Sequence, residues 1–344
     1  GVYVDRPNSP VYCNWYIILA AESGTTRKST AISSISEILG STTTLFTGQT
    51  TPTGLKLYLH DASTKSGYAY ANFAISELTD ILGKEAYMNT MPATLTDLYD
   101  SPASKSSPGT DLHGELLFKN VYITFLSAST PAWLVTAINP SVIEGGFTSR
   151  VIFVVDERRK KAIAWPKPRE EGALQNVQRT YNEAVCNARD VGSIDISKGG
   201  LAKFTRWYNT RATHTDPFMS SFEAREDDHL LRVAACLAIN DGTIEINSGH
   251  IGNGSKVITH VKDSARSLFG GDFSYRAKIV GAVGRVRDAI IQAGDDGIGH
   301  SELLRRMVRY LDAKELQMLV NILHECGMIQ IFKVGKKGKR PKTI

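Results

Sequence analysis

The stretch Tyr16-Ile-Ile-Leu-Ala-Ala-Glu-Ser-Gly-Thr-Thr-Arg-Lys-Ser29 decides how the rest of the chain is read. Residues 11 to 20 are β-branched and aromatic and too few for a typical helix, so they are expected to form a strand. Glu22 to Lys28 is polar around Gly24 and reads as a loop. From Ser29 onward Ala31, Ile32, Ile35, Ile38 and Leu39 recur at helical spacing until Gly40, an amphipathic helix with a glycine stop. Strand, loop and helix make a βα unit. Lys28-Ser29 matches the last two positions of the phosphate-binding signature G-x-x-x-x-G-K-[ST], with Glu22 and Arg27 where the two glycines would stand and Gly24 inside the loop. Two readings are open at this point. Ser23, Gly24, Thr25, Thr26, Arg27, Lys28, Ser29 and Thr30 could cradle phosphate with backbone amides, an ammonium and a Mg²⁺-ligating hydroxyl; alternatively they form a polar N-cap beside a solvated Arg-Lys pair.

Outward from this unit, the alternation continues. A short strand is expected at Thr44 to Thr47, a helix near Pro52 carrying Leu55, Leu57 and Leu59, and a buried strand over Tyr70 to Ile75. Residues 101 to 114 are turn-formers, expected as an exposed loop or hairpin tip. Strands at Val121 to Leu126 and Val151 to Val155 bracket a helix that begins at Pro131. Five strands alternating with helices predict an α/β domain on a parallel sheet over residues 1–160. Trp165 to Glu171 reads as a linker. Residues 161–271 then read as a mostly helical extension, clearest at Phe222 to Ile239. Residues 272–344 read as a small module: helices over Ala277 to Gln292 and Ser301 to Tyr310, a third after the capping-box pattern Asp312-Ala-Lys-Glu315, a strand over Met328 to Val334 and a basic turn. Three helices, a strand and such a turn resemble a winged helix-turn-helix.

The 344 residues are 42% apolar and 22% charged, which excludes a disordered, collagen-like or low-complexity chain. Forty Lys and Arg against thirty-five Asp and Glu leave +5, too little for a general polycation, and part of the surplus lies at the C-terminus. Cys13, Cys186, Cys236 and Cys326 are isolated, so no zinc site or disulfide framework is signalled and a reducing, cytoplasmic compartment is expected. No run approaches the roughly 18 apolar residues of a membrane span. The chain begins with Gly1 and lacks a basic signal-peptide region, so a piece of a longer protein is expected.

Three further segments carry chemistry. Phe73-Ala-Ile-Ser-Glu77 ends a buried strand in a carboxylate, suited to polarising water or orienting Mg²⁺ through a water. Ser127-Ala-Ser-Thr130 ends the next strand in hydroxyls that either sense a terminal phosphate or cap the helix at Pro131. Gly145-Gly-Phe-Thr-Ser-Arg150 delivers a guanidinium at the start of the last strand, where it is either a salt-bridge partner or a group reaching a neighbouring subunit's nucleotide.

The ordered set Gly24-Thr-Thr-Arg-Lys-Ser-Thr-Ala31, Thr51-Pro-Thr-Gly-Leu55, Ala74-Ile-Ser-Glu-Leu78, Leu126-Ser-Ala-Ser-Thr-Pro131 and Gly145-Gly-Phe-Thr-Ser-Arg150 resembles the P-loop ATPase region of phage and mobile-element primase-helicases, relatives of the superfamily 3 helicases. The resemblance spans residues 24 to 150. It implies a RecA/AAA-like ATPase core followed by the helical region and winged helix. Its implied activity is an ATP-dependent DNA helicase or translocase, working as a homo-oligomeric ring, hexameric in expectation, with a primase domain or protein as a further partner. Lys28 and Ser29 would hold phosphate and Mg²⁺, Glu77 would activate water and contact Mg²⁺ through water, Ser129 or Thr130 would be the sensor, and Arg150 the finger in trans. Glu22, Arg27 and Ser76 depart from the family pattern. A nucleotide-responsive DNA-binding adaptor, or a transposition or initiator ATPase with weak turnover, is the alternative.

For DNA, Lys333 to Lys342 holds six Lys or Arg in ten residues, among them Lys336, Lys337, Lys339 and Arg340, suited to phosphate contacts on single-stranded or duplex DNA if it forms a wing. Arg305, Arg306 and Arg309 on the second helix of the module, and Lys105 in the 101 to 114 loop, are further candidate contacts. The eight histidines lack metal-ligand spacing and are expected in core or surface roles.

Overall fold

A computed structural model describes residues 1–24, 26–40, 43–82, 90–107, 114–138, 142, 145–155, 164–165, 167–189, 192–213, 217–269 and 272–332. They fall into two compact units, Gly1–Ser274 and Tyr275–Ile344.

The first unit is built on four parallel strands: β3 (Tyr16–Ala20), β4 (Tyr70–Ile75), β7 (Tyr122–Ser129) and β8 (Val151–Val155), in the spatial order β4-β7-β3-β8. Tyr16, Ile18, Ile123, Phe125, Val151 and Phe153, at alternate positions that register places on one face, are all fully buried, while Ile17 and Leu19 on the other face are half-buried. Helix α1 (Lys28–Leu39) follows β3 and ends where Gly40 donates its amide to the Ser36 carbonyl. Helix α2 (Pro52–Ser66) starts on Thr51, whose hydroxyl accepts from the Gly54 amide at 3.0 Å, with proline at its first position and Gly67 at φ +77° closing it. Short helices α3 (Thr79–Leu82) and α4 (Met91–Leu98) follow β4. The hairpin of β5 (Ser104–Ser107) with β6 (Leu116–Lys119) precedes β7, and α5 (Pro131–Ala137) follows it.

From β3 the chain moves two places along the sheet to β4, back one to β7, then two places the other way to β8. Right-handed crossovers therefore put the helices after β3 and β7 on opposite faces. The crevice at the carboxyl ends of these two neighbouring strands is where such a sheet takes a ligand.

A second sheet has the order β10-β9-β1-β2, formed by β1 (Tyr3–Val4), β2 (Val11–Tyr12), β9 (Ser193–Ile196) and β10 (Glu245–Ile246). Helices α6 (Ala173–Arg189), α7 (Lys198–Thr210), α8 (Pro217–Glu223), α9 (Glu226–Asn240) and α10 (Ser248–Phe269) complete this unit, and α7, α9 and α10 pack on the second sheet. Val4, Val11 and Ile194 pack there with Leu230, Ala234 and Ile251 in one core. The first residues of the chain thus pair with strands from the region expected to be mostly helical. The single strand expected over residues 11 to 20 is divided between the two sheets. Its break falls at Asn14, a buried amide that donates to the Tyr99 carbonyl at 2.8 Å and so leaves the ladder. At residues 44 to 47 only one parallel bridge forms, Phe46 with Phe73, because the flanking threonines supply no apolar face. The helix expected from Phe222 to Ile239 breaks at Ala224-Arg225 into α8 and α9.

The second unit holds α11 (Asp272–Gln292, continuing from the first unit's last residues), α12 (His300–Met307) and α13 (Ala313–Glu325). Val286, Leu303, Met307, Leu316 and Leu319 form its core. The capping box forms as expected: Asp312 accepts from the Glu315 amide at 2.9 Å and Glu315 accepts from the Asp312 amide at 2.8 Å. Gly327, at φ +70°, follows α13. The expected strand at Met328 to Val334 is not formed over its described part, residues 328–332. The last apolar residues there, Met328, Ile331 and Phe332, are exposed, with no neighbouring strand among the described residues to pair with.

A candidate nucleotide cleft

Parallel register brings three strand ends to one height. Ala20 of β3 stands opposite Ser129 of β7, and Ile75 of β4 opposite Ser127. Beyond them Ala21 donates its amide to the Ser129 carbonyl at 3.3 Å and Leu78 donates to Ala128 at 2.8 Å. A cleft of about 420 Å³ opens there, lined by Ser23, Gly24, Arg27, Lys28 and Ser29 from the loop and α1, by Ser76 and Glu77 beyond β4, and by Ser129 and Thr130 beyond β7. Residues named from separate segments of the sequence are therefore neighbours in space.

The loop takes a glycine-like path without the signature glycines. Gly24 lies at φ +75°, and Arg27 lies at φ +55°, ψ +40°, a left-handed conformation that disfavours a side chain bearing Cβ. Arg27 is the residue before α1, and its side chain makes no capping hydrogen bond to that helix. Arg27 thus does not supply the polar N-cap offered as an alternative reading, and the first-turn amides of α1 point out of its start beside the cleft. Lys28 folds back over the loop, its Nζ donating to the Ala21 carbonyl at 2.6 Å and the Glu22 carbonyl at 3.1 Å. Partial burial lowers its pKa, against the opposing pull of the Glu22 carboxylate. Thr26 Oγ1 is buried with no hydrogen-bond partner among the described residues. Ser29 and Thr30 sit exposed in the first turn of α1, and Thr25 lies outside the described residues.

Glu77 is exposed, with the Thr79 hydroxyl donating to its Oε2 at 3.4 Å. Thr130 is the N-cap of α5, accepting from the Trp133 amide at 3.3 Å, so the capping role is real and its hydroxyl still lines the cleft. Trp133 also lines it, a residue that sequence reasoning missed because an aromatic side chain inside a helix reads first as core.

Arg150 is not in this cleft. Val151 pairs with Tyr16 and Val155 with Ala20, so Arg150 stands at the amino end of the sheet, roughly 15–20 Å of strand away from the loop. It donates to the Gly146 carbonyl at 2.8 Å and pairs with Asp100 at 3.2 Å. That placement rules out a role in its own chain's cleft, and the salt bridge offered as the alternative reading forms, to Asp100.

Of the candidate DNA contacts, Lys105 lies in the β5–β6 hairpin and is paired with Asp97. Arg305, Arg306 and Arg309 are exposed on and just after α12, with Arg306 paired to Glu302 at 2.6 Å. Lys336, Lys337, Lys339 and Arg340 lie outside the described residues. No helix among the described residues is long and apolar enough to cross a membrane.

No protein-family model matches this sequence. No curated protein matches it either.

Proposed function

We propose that the cleft between α1 and the ends of β4 and β7 binds and hydrolyses ATP with Mg²⁺, and that the chain uses this turnover to move along single-stranded DNA as a ring-forming helicase or translocase of the phage and mobile-element primase-helicase type. The observation that carries the reading is the convergence of Lys28, Ser29, Glu77, Ser129 and Thr130 on one cleft at the switch point of a parallel sheet. Their chemistry fits a magnesium triphosphate: an ammonium, first-turn helix amides and a left-handed loop for the phosphates, a hydroxyl for the metal, and an exposed carboxylate.

In this reading Lys28 leaves its two carbonyl partners to meet the outer phosphates. Ser29 would hold Mg²⁺ directly and Glu77 would hold it through water, where the ion would supply positive charge against the phosphates. Glu77 accepts the proton of the attacking water, and the Thr130 or Ser129 hydroxyl orients that water or the terminal phosphate. Arg150 works on the nucleotide of an adjoining subunit, which makes the homo-oligomeric ring, proposed as a hexamer, part of the active site. The second unit and its basic tail supply further DNA affinity as a winged helix, and the location is the host cytoplasm or nucleoid.

Arg27 and Ser76, both lining the cleft where the resembled family carries glycine and aspartate, favour a second reading: an adaptor that binds ATP and cleaves it slowly. Phosphate release measured with and without single-stranded DNA separates the two. A motor shows turnover stimulated by DNA, whereas unstimulated, near-background turnover with intact ATP binding sinks the motor and keeps the adaptor.

A further inference from the structure

Helix α7 and the amino-terminal half of α10 pack side by side and together present cations without carboxylates. Neither residues 196–213 nor residues 246–262, which contain these two segments, include an Asp or a Glu. Lys198, Lys203 and Arg206 on α7 and Lys256 on α10 are exposed and have no ion-pair or hydrogen-bond partner among the described residues. Lys262, further along α10, is different: it is buried between Glu223 and Glu226, at 3.0 and 3.1 Å. Elsewhere on the described surface arginines come with carboxylates, and Arg169, Arg179, Arg266, Arg287 and Arg306 each face one within 4.0 Å. The carboxylates of Asp195 and Glu245 belong to residues paired across β9 and β10, before α7 begins.

The cations follow one line. Lys198 and Arg206 are separated by about 12 Å of helix rise. A Cβ at Gly252 would meet the Lys203 Nζ at 2.5 Å, so the glycine leaves that ammonium room to lie across α10, one turn from Lys256. Beside them Leu201 and Tyr208, two turns apart on α7, are 50% and 43% exposed. The Tyr208 ring is held in place: the Arg211 guanidinium lies 4.1 Å from its centroid and the Phe204 ring 6.3 Å away. Arg211 in turn stands 3.8 Å from Asp227, which Arg6 answers at 3.1 Å. A fixed, half-open aromatic ring thus adjoins a row of unpaired cations.

We infer that α7, with Lys203 and Lys256 extending its charge onto α10, is a track for single-stranded DNA, in which Lys198, Lys203, Arg206 and Lys256 take backbone phosphates and Tyr208 stacks a base. Charge complementarity selects a polyanion. The exposed ring selects a single strand, because the bases of a duplex are stacked on one another and offer it no face. Only the choice of DNA over RNA rests on the function proposed above. The track shares no residue with the nucleotide cleft, and none of its residues is among the DNA contacts expected from sequence.

Anisotropy of a labelled oligothymidylate with the full chain, without nucleotide and over a salt series, tests the track. Lys203→Ala/Arg206→Ala should weaken binding at least tenfold at low salt. It should also make the slope of log K against log salt less negative by about 1.4, two phosphate contacts at about 0.7 each. Tyr208→Ala should weaken binding about tenfold with the slope unchanged, whereas Tyr208→Phe keeps the ring and should bind as wild type does. All three side chains are exposed, which limits damage to folding. Wild-type affinity in either Tyr208→Ala or the lysine-arginine pair overturns the track, as does a duplex of the same length binding as tightly as the single strand. If binding that ignores the α7 substitutions is lost in Arg305→Ala/Arg309→Ala, the DNA partner of the proposed function stands and the track alone fails. ATP binding to the wild type judges the first cleft separately.

Discussion

Ala20 and Ser129 stand opposite each other at the ends of adjacent parallel strands, β3 and β7. That pairing sets the loop beginning at Ala21 beside the hydroxyls of Ser129 and Thr130, although more than a hundred residues separate them in sequence. Loop, hydroxyls and the Glu77 carboxylate are thus placed by strand register, and substitutions within the cleft should change chemistry with little effect on the fold.

Lys28→Ala is the sharpest case. The ammonium bonds only to the Ala21 and Glu22 carbonyls in the described structure and is half-buried at the surface of the cleft. Its removal should lower DNA-stimulated ATP hydrolysis by at least a hundredfold, about 2.7 kcal/mol in the barrier, while the melting temperature falls by no more than about 3 °C. Unchanged turnover in a folded variant would remove the basis for the ATPase assignment.

Arg27→Gly probes the left-handed turn. An L-residue in that region is strained by about 1–2 kcal/mol, and glycine relieves this while adding about 0.5–1 kcal/mol of unfolded-state freedom. Stability in urea should stay level or rise by about 1 kcal/mol. Turnover should rise several-fold if the Arg27 side chain hinders phosphate at the loop, as the adaptor reading requires; a fall would show that the guanidinium itself helps to bind nucleotide.

Much of this was legible beforehand. The strand at Tyr70 to Ile75, the helix beginning at Pro52 and the capping box at Asp312 follow from apolar spacing and capping chemistry, which act within a few residues. The candidate cleft was readable as an order of segments, because each strand of a parallel sheet ends in the loop that carries its polar residues. What sequence could not show was long-range pairing. Tyr3 and Val4 pair with Ser193 and Ile194 through backbone groups that leave no compositional mark. The Asp100, Arg225 and Arg232 cluster joins residues over a hundred positions apart, each of which alone looks like a solvated surface charge. Asn14 reads as one polar residue in an apolar run until its amide is seen bonded to Tyr99.

Thr130 serves two possible roles that substitution separates. Its hydroxyl caps α5 through the Trp133 amide, and Thr130→Ala should cost about 1 kcal/mol in stability. Thr130→Asn keeps a capping oxygen and should unfold in urea near the wild-type midpoint. If the hydroxyl also orients water or phosphate, Thr130→Asn should still lose tenfold or more in ATP turnover with nucleotide affinity little changed. Wild-type turnover in Thr130→Asn would leave the residue as a cap alone.

His229 predicts how stability depends on pH. The ring is fully buried, with Nε2 at 2.9 Å from the Ser149 carbonyl and Nδ1 without a partner among the described residues, so the neutral tautomer protonated at Nε2 fits the site. Burial above all, aided by the charge of Arg232, depresses its pKa from 6.5 to about 3. The unfolded chain therefore binds a proton that the folded chain refuses, and the contribution is fully present above pH 6.5 and lost as pH falls toward 3. Across that window this one group should lower the unfolding free energy by about 1.4 kcal/mol per pH unit, before other groups are added. His229→Gln retains a side-chain donor for Ser149 and removes the titration. Urea unfolding of both chains at pH 7, 6, 5 and 4 should show the variant less stable at pH 7, with a slope shallower than wild type by about that amount. Parallel slopes would mean that His229 takes up its proton in the folded state, and that the wall it shares with Arg232 is less dry than its burial indicates.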